Sequence, residues 1–303
     1  MPSINHFDVI IVGGGPAGLS AASMLGRCRR SVLVIDAAKP RNAASHHVHG
    51  FLSRDGISPL ELLTLGRQEV AQYGVEIVFD TVSRARIDGD MFCVTVDGGR
   101  EFFSRKLVLA TGITENLPAV DGLPAFYGTS VHHCQYCDAW EWRDKRIAVY
   151  GHEVSGAGQA LSLKTWSPHI TLFTDGAPVT ATEEAKLALH DIAIITTPIE
   201  RVEGEDGFIT GIVLRDGALQ MCDALFFNAP SEQKSALAES LGCSFDEHGG
   251  VVVDDRERTG VAGLFVVGDA LKDVQFVMNA AAQGAIAGET INREFECEEG
   301  RML

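Results

Sequence analysis

Phe7 to Val12 is an unbroken apolar run that stops at Gly13-Gly14-Gly15, and the chain then turns straight into an Ala- and Leu-rich stretch from Pro16 to Arg27. A second run, Ser31 to Ile35, ends on Asp36. Strand, glycine turn, helix and strand make the βαβ unit of a parallel sheet. Such a sheet needs helices over its faces, so this stretch confines the chain to an α/β fold. Gly13, Gly15 and Gly18 stand at the spacing of a dinucleotide fingerprint. The first makes the tight turn, the second lets backbone approach a pyrophosphate, and the third packs the helix closely on the strand. Pro16 and Ala17 open the helix, whose free N–H groups and positive dipole end favour phosphate. Asp36, 23 residues after Gly13, stands where a carboxylate accepts from ribose hydroxyls.

The same pattern returns later. Arg146 to Tyr150 reads as a strand, Gly151 opens a turn, Ser155 to Trp166 reads as a helix, and His169 to Phe173 as a strand followed by Asp175. Laying Gly13 on Gly151 puts Gly18 on Gly156 and Asp175 one residue past the equivalent of Asp36. Leu225 to Pro230 echoes Leu107 to Gly112. The expectation is two Rossmann-like, three-layer ββα domains, the second inserted into the first: residues 1–117 and 246–303 around 118–245. Between the anchors, Leu60 to Tyr73 reads as a helix. Val75 to Phe79, Phe92 to Val96, Glu101 to Phe103 and Lys106 to Ala110 read as strands, with a turn at Asp97-Gly98-Gly99. Pro118, Gly122, Pro124 and Gly128 mark a linker. The closing segment, Gly250 to Arg293, supplies a strand at Leu264 to Val267, then Gly268-Asp269 and a helix with a small face of Ala280, Gly284 and Gly288.

The 303 residues fit two domains. The net charge of −16 repels phosphate backbones and anionic lipid, and the sequence holds no basic patch of the kind that would reverse this. No stretch approaches the roughly 18 apolar residues of a membrane span. These features, with an amino terminus that lacks a basic flank, read as a cytoplasmic protein without nucleic-acid or membrane partners.

Seven cysteines are not a disulfide-stapled framework. Cys28, Cys93, Cys222, Cys243 and Cys297 are scattered and read as small apolar or idle residues. Cys134-Gln135-Tyr136-Cys137 differs, because two intervening residues let the sulfurs close a small ring, so that one thiolate can attack a disulfide and the other resolve it. Zinc needs four ligands, no second Cys-x-x-Cys exists, and adjacent His132 and His133 rarely converge on one ion, so no metal is expected. A leaving thiolate needs an acid nearby. Asp138 ranks first for that role, ahead of His132 and His133.

With the glycine motif, Ala110-Thr111-Gly112 after a strand, Cys-x-x-Cys-Asp before the second strand-turn-helix, and a late Gly268-Asp269, the chain resembles a low-molecular-weight thioredoxin reductase over nearly its whole length. The resemblance implies FAD at the first site, with Asp269 on the ribityl chain and Gln275 and Phe276 at the start of a helix aimed at the flavin. It implies that Cys137 is the thiol next to the flavin, that Cys134 attacks the substrate disulfide and that Asp138 is the proton donor. It implies a homodimer acting on a thioredoxin-like protein or on a small-molecule disulfide or dithiol. Pro40-Arg41-Asn42 through His46, His47, His49 and Gly50 is similar to a side branch that includes gliotoxin-type dithiol oxidases, and Arg41, Asn42 and His49 then line the flavin. Those oxidases carry a His after the second cysteine, where this chain has Asp138.

The second nucleotide site departs from the family. Gly151-His152-Glu153-Val154-Ser155-Gly156 puts Glu153 where the second glycine belongs. A carboxylate about 4 Å from a pyrophosphate costs roughly 1 to 4 kcal/mol. The family's basic cluster for a 2′-phosphate falls on Thr174-Asp175-Gly176, which carries no positive charge. NADPH is therefore doubtful here, while NADH remains open through Asp175. Other electron routes are a protein donor such as ferredoxin, steered by Arg143, Lys145 and Arg146 or by Arg27, Arg29 and Arg30, or a thiol substrate feeding oxygen. The expected activity is FAD-dependent thiol-disulfide exchange through Cys134 and Cys137. A dithiol oxidase and a non-catalytic FAD-binding redox sensor are the alternatives.

Overall fold

The computed structural model describes residues 5–151, 153–228 and 230–301. The chain divides into two compact units: residues 1–43, 50–114 and 232–303 form the first, and 44–49 with 115–231 the second.

In the first unit the opening βαβ forms as β1 (His6–Val12), α1 (Pro16–Arg27) and β2 (Val32–Asp36). Then follow α2 (Pro59–Ala71), β3 (Glu76–Phe79), β4 (Val82–Asp88), β5 (Met91–Val96) and β6 (Glu101–Leu109). The sheet order is β3-β2-β1-β6-β5-β4. The two strands read at Glu101 to Phe103 and Lys106 to Ala110 are one. Its first half pairs antiparallel with β5 through the Asp97-Gly98-Gly99 turn, and its second half continues parallel to β1. Ser104 and Arg105, between the two runs, continue the strand, and the Lys106 ammonium that follows is held by Glu294 and Glu298 at 2.8 and 2.9 Å.

A short β7 (Ile113–Glu115) carries the chain out of the first unit. The segment read as a linker is ordered around a 3-10 turn, Leu123–Phe126, and leads into β8 (Val131–His132). Val120, Leu123 and Phe126 are buried in the second unit's core. The four-residue α3 (Gln135–Asp138) follows. The repeated pattern then forms as β9 (Ile147–Tyr150), α4 (Glu153–Leu163) and β10 (Ile170–Phe173). After it come α5 (Ala181–Leu189), β11 (Ala193–Ile195), a β12 (Ile199–Glu205), β13 (Phe208–Leu214), β14 (Leu219–Met221) antiparallel sheet, and β15 (Ala224–Phe227). The parallel order β11-β10-β9-β15-β8 repeats the logic of the first sheet. The expected echo at Leu225 to Pro230 includes Ala229, which lies outside the described residues.

The chain leaves the second unit along β16 (Ser231–Gln233), which pairs with β7, and α6 (Leu237–Ser240) follows. Here the expected domain boundary shifts. Residues 232–245, expected in the inserted domain, belong to the first unit, where Leu237, Ala238, Leu241 and Cys243 are buried in the core. Residues 44–49 belong with the second unit, because Gly128 approaches the Ala44 carbonyl closely enough that a Cβ would meet it at 2.3 Å.

The first unit ends with β17 (Leu264–Val266), parallel to the second half of β6, and α7 (Val277–Glu298). The small face of α7 explains its packing. A Cβ on Gly284 would lie 2.0 Å from the Ala17 carbonyl oxygen, and one on Gly288 2.7 Å from Met24 Cβ. Among the described residues, no helix is long and apolar enough to cross a membrane.

Candidate functional site

The turn between β1 and α1 is a cradle built by the absence of side chains. Gly13 has φ +110° and a Cβ there would strike the Ala110 carbonyl oxygen at 2.2 Å; a Cβ on Gly18 would strike Gly13's at 1.9 Å. Gly15 is different. It caps α1 with no side-chain hydrogen bond, no acid occupies the first turn, and a Cβ would meet no protein atom within 4 Å. That space, with uncapped N–H groups facing it, fits a pyrophosphate. At the far end of β2, Asp36 is buried and Arg67 Nη2 lies 2.9 Å from its Oδ2. Arg67 Nε is also buried and has no partner among the described residues, so a donor stands ready beside the acid. Arg67 was not singled out in the sequence, where it is one of many helical basic residues.

The other expected flavin residues in the first unit form a second group. Ala110, Thr111 and Gly112 follow β6, and Gly112 has φ +68°. Gly268 has φ +76°, and its N–H donates to the buried Gln283 Oε1 at 2.9 Å. Arg41 Nη1 lies 2.8 Å from Asp269 Oδ2, and Arg41 Nη2 donates to Gln275 Oε1 at 2.8 Å, so Arg41, Asp269 and Gln275 form one network. Phe276 is exposed and caps α7, and Asn42 is half-buried beside Arg41. His49 is the remaining residue expected at the flavin. It belongs to the second unit, where its Nε2 lies 3.6 Å from Glu141 Oε1. The cradle, the orphaned donor and this network together fit FAD.

In the second unit Cys134 and Cys137 are joined in a disulfide, with Cα atoms 5.3 Å apart. Cys134 caps α3, and its carbonyl accepts from the N–H groups of Cys137 and Asp138 at 3.3 and 3.2 Å. Gln159 on α4 supports the turn from below, donating to the carbonyl oxygens of His133 and Phe227 at 3.3 and 3.4 Å. Burial pushes the Asp138 carboxyl up to about 7, with His49 pulling down and Glu141 pushing up. A carboxyl so placed is a usable proton donor near neutral pH. His132 is buried, its Nδ1 lies 3.5 Å from Asp138 Oδ1, and its Nε2 accepts from Trp142 Nε1 at 3.0 Å. Burial, and then His133, push its imidazole down to about 3 against a hydrogen bond to the Thr129 backbone. His133, half-buried, lies with its Nδ1 3.1 Å from Tyr127 Oη and its Nε2 3.6 Å from Glu115 Oε1. The structure therefore separates the two histidines that the sequence left side by side. Trp142 and Gln159 carry no sequence signal that would have found them. Among the described residues no cluster of His, Cys, Asp and Glu could hold a metal ion.

Residues 7–284 match the family described as pyridine nucleotide-disulphide oxidoreductase. The chain belongs to that family. It is an oxidoreductase of thioredoxin reductase type. It is 31% identical to thioredoxin reductase sirT of Leptosphaeria maculans, over 98% of this chain and 95% of that one. It is 29% identical to thioredoxin reductase tcpT of Claviceps purpurea, over 95% of this chain and 94% of the other. The crystal structure of an oxidoreductase from Agrobacterium tumefaciens is 34% identical and superposes with a TM-score of 0.90, covering 96% of this chain and 98% of that one.

The second nucleotide-binding pattern of this pyridine nucleotide-disulphide oxidoreductase keeps the close glycine contact. A Cβ on Gly151 would lie 2.9 Å from Gly156 Cα, and one on Gly156 2.5 Å from the Gly151 carbonyl carbon. The Glu153 side chain lies outside the described residues, as does His152. Asp175 is visible and engaged: its Oδ1 accepts from Ile199 N at 2.7 Å and its Oδ2 from Tyr150 Oη at 3.3 Å. Thr174 Oγ1 donates to the Ala177 carbonyl at 2.7 Å.

Proposed function

We propose that this enzyme moves electron pairs between FAD on the first unit and the Cys134–Cys137 disulfide of the second, and from the reduced pair to a disulfide substrate. FAD, which Gly13, Gly15, Pro16, Ala17, Gly18, Asp36, Arg41, Asn42, His49, Ala110, Thr111, Gly112, Gly268, Asp269, Gln275 and Phe276 would hold, would supply the two-electron redox chemistry. In the reduced protein the Cys134 thiolate attacks a sulfur of the substrate disulfide, the departing thiolate takes a proton, and Cys137 displaces the bound half as the Cys134–Cys137 bond re-forms. Asp138 is the proton donor. The substrate is a thioredoxin-like protein or a small-molecule disulfide, and the working form is a cytoplasmic homodimer.

The observation that carries this reading is the disulfide beside a half-buried, neutral-leaning carboxyl in a chain that also holds a phosphate cradle. We further propose that electrons do not enter from NADPH. Thr174-Asp175-Gly176 offers a 2′-phosphate no cation, and Asp175 is occupied by Ile199 and Tyr150. A reduced protein donor such as ferredoxin then takes that place. Anaerobic mixing of the yellow protein with NADPH, NADH and reduced ferredoxin in turn, while flavin absorbance is followed, tests both statements. Bleaching by ferredoxin alone is expected. Rapid bleaching by NADPH overturns the second proposal and leaves the first intact.

A further inference from the structure

Gln159 touches the cysteine turn on both sides of Cys134. It stands on α4, only 6% exposed. Its Nε2 lies 3.3 Å from the carbonyl oxygen of His133, the residue before Cys134, and 3.4 Å from the side-chain Oε1 of Gln135, the residue after it. The same nitrogen lies 3.4 Å from the Phe227 carbonyl oxygen at the end of β15, a strand buried throughout and flanked in its sheet by β9 and β8. An amide nitrogen has two N–H groups, so the three oxygens share them, one bond being bifurcated. Gln159 Oε1 is buried and accepts from no described residue, so the donor end alone sets how this amide is turned. One nitrogen thus ties both neighbours of Cys134 to the middle of the sheet.

We propose that Gln159 is a positioning residue for the Cys134–Cys137 pair: by holding His133 and Gln135 it keeps Cys134 where the ring closes, and so favours the disulfide over the dithiol. Reduction breaks the single S–S bond and brings two electrons and two protons to the two sulfurs. A dithiol on a loosened turn gains conformational freedom that ring closure must remove again; a turn already held has less to lose. The inference rests on the reading of this pair as the redox centre.

The test reads the equilibrium of the pair, not turnover. The holoenzyme is equilibrated anaerobically in dithiothreitol buffers of graded oxidised-to-reduced ratio, which supply the electrons and protons. Free thiols are trapped with N-ethylmaleimide, and the peptide holding both cysteines is weighed. Gln159→Met keeps the side-chain length and loses both N–H groups. It is expected to reduce more easily, its equilibrium constant shifting by about three- to tenfold, or roughly 15 to 30 mV to less negative potential. Gln135→Met, which removes one accepting oxygen, moves the midpoint the same way by less, while Gln135→Glu, which keeps an oxygen there, does not. A folded Gln159→Met whose midpoint is unmoved or more negative overturns the proposal, even where its melting temperature falls, since packing alone explains that loss. An equal upward move in Gln135→Met and Gln135→Glu overturns it too. Should Gln159→Met fail to fold, the contrast between the two Gln135 variants decides. A wild-type pair that stays oxidised in every buffer until the protein unfolds overturns instead the reading of Cys134 and Cys137 as a redox centre.

Discussion

The Arg41 guanidinium and the Asp269 carboxylate lie 2.8 Å apart, joining the loop after β2 to the turn after β17 across 228 residues of sequence. Both side chains are largely buried, and Arg41 also holds Gln275. Arg41→Ala leaves Asp269 without its cation in a site proposed to hold the ribityl chain. FAD affinity is expected to fall about tenfold, or roughly 1.4 kcal/mol. Arg41→Lys rescues it poorly, since a point charge does not span two acceptors. Fluorescence titration of the apoprotein checks this, and an unchanged dissociation constant in Arg41→Ala contradicts it.

Two glycines of the cradle separate cofactor binding from folding. Gly15→Ala adds a methyl where no protein atom lies within 4 Å, at an extended φ of −76°. The apoprotein should melt as wild type does while FAD binding weakens by tenfold or more. Gly18→Ala drives its methyl onto the Gly13 carbonyl at 1.9 Å, so the fold itself suffers. Calorimetry of both apoproteins distinguishes them. Equal melting temperatures would remove the steric argument.

Cys134→Ser and Cys137→Ser should each purify yellow and fail to turn over a disulfide, because one sulfur cannot both attack and resolve. The retained colour reports that the cradle lies in a different unit from the cysteines. Full activity in Cys134→Ser would falsify the assigned attack.

Asp138 and His132 bend the stability profile in opposite directions. The Asp138 carboxyl is raised from 3.8 to about 7, so the folded state holds an extra proton in that window and its contribution to stability falls as pH rises through it. The His132 imidazole is lowered from 6.5 to about 3, so the folded state binds fewer protons there and its contribution rises with pH. In the wild type the two largely offset each other. Asp138→Asn should therefore gain stability from pH 4 to 6.5 relative to wild type, by on the order of 2 kcal/mol, and His132→Asn should lose it. Denaturant midpoints at four pH values decide the signs. Glu257, raised to about 7 chiefly by burial, contributes the same background to every variant.

The parts of the fold legible in the sequence are those where burial follows a period. β1, α1 and β2 were readable because the parallel strands are buried almost throughout and the helix follows directly on a glycine turn. β4 leaves no apolar alternation to read, because Arg84 and Ile87 are exposed along it and Arg86 is half-buried. The β12-β13-β14 sheet and α5 carry local signals of their own: Asp206-Gly207 and Asp216-Gly217 are hairpin dipeptides, and Thr180 with Glu183 forms a capping box. At the site, the cysteine pair and Asp138 announce their chemistry by spacing. The partners of His132 do not, since the hydrogen bond to Trp142 spans ten residues and has no local period.

The phosphate cradle is encoded within the first forty residues, yet the helix that presents it leans on the last thirty. Ala17 and Met24 of α1 meet Gly284 and Gly288 of α7, and Gly268 brings the turn after β17 against Ala17. More than 250 residues therefore separate the fingerprint glycines from the helix that buttresses them. A chain shortened before Gly284 is expected to lose its yellow colour however intact its glycines, because α1 loses the packing that holds the cradle in shape.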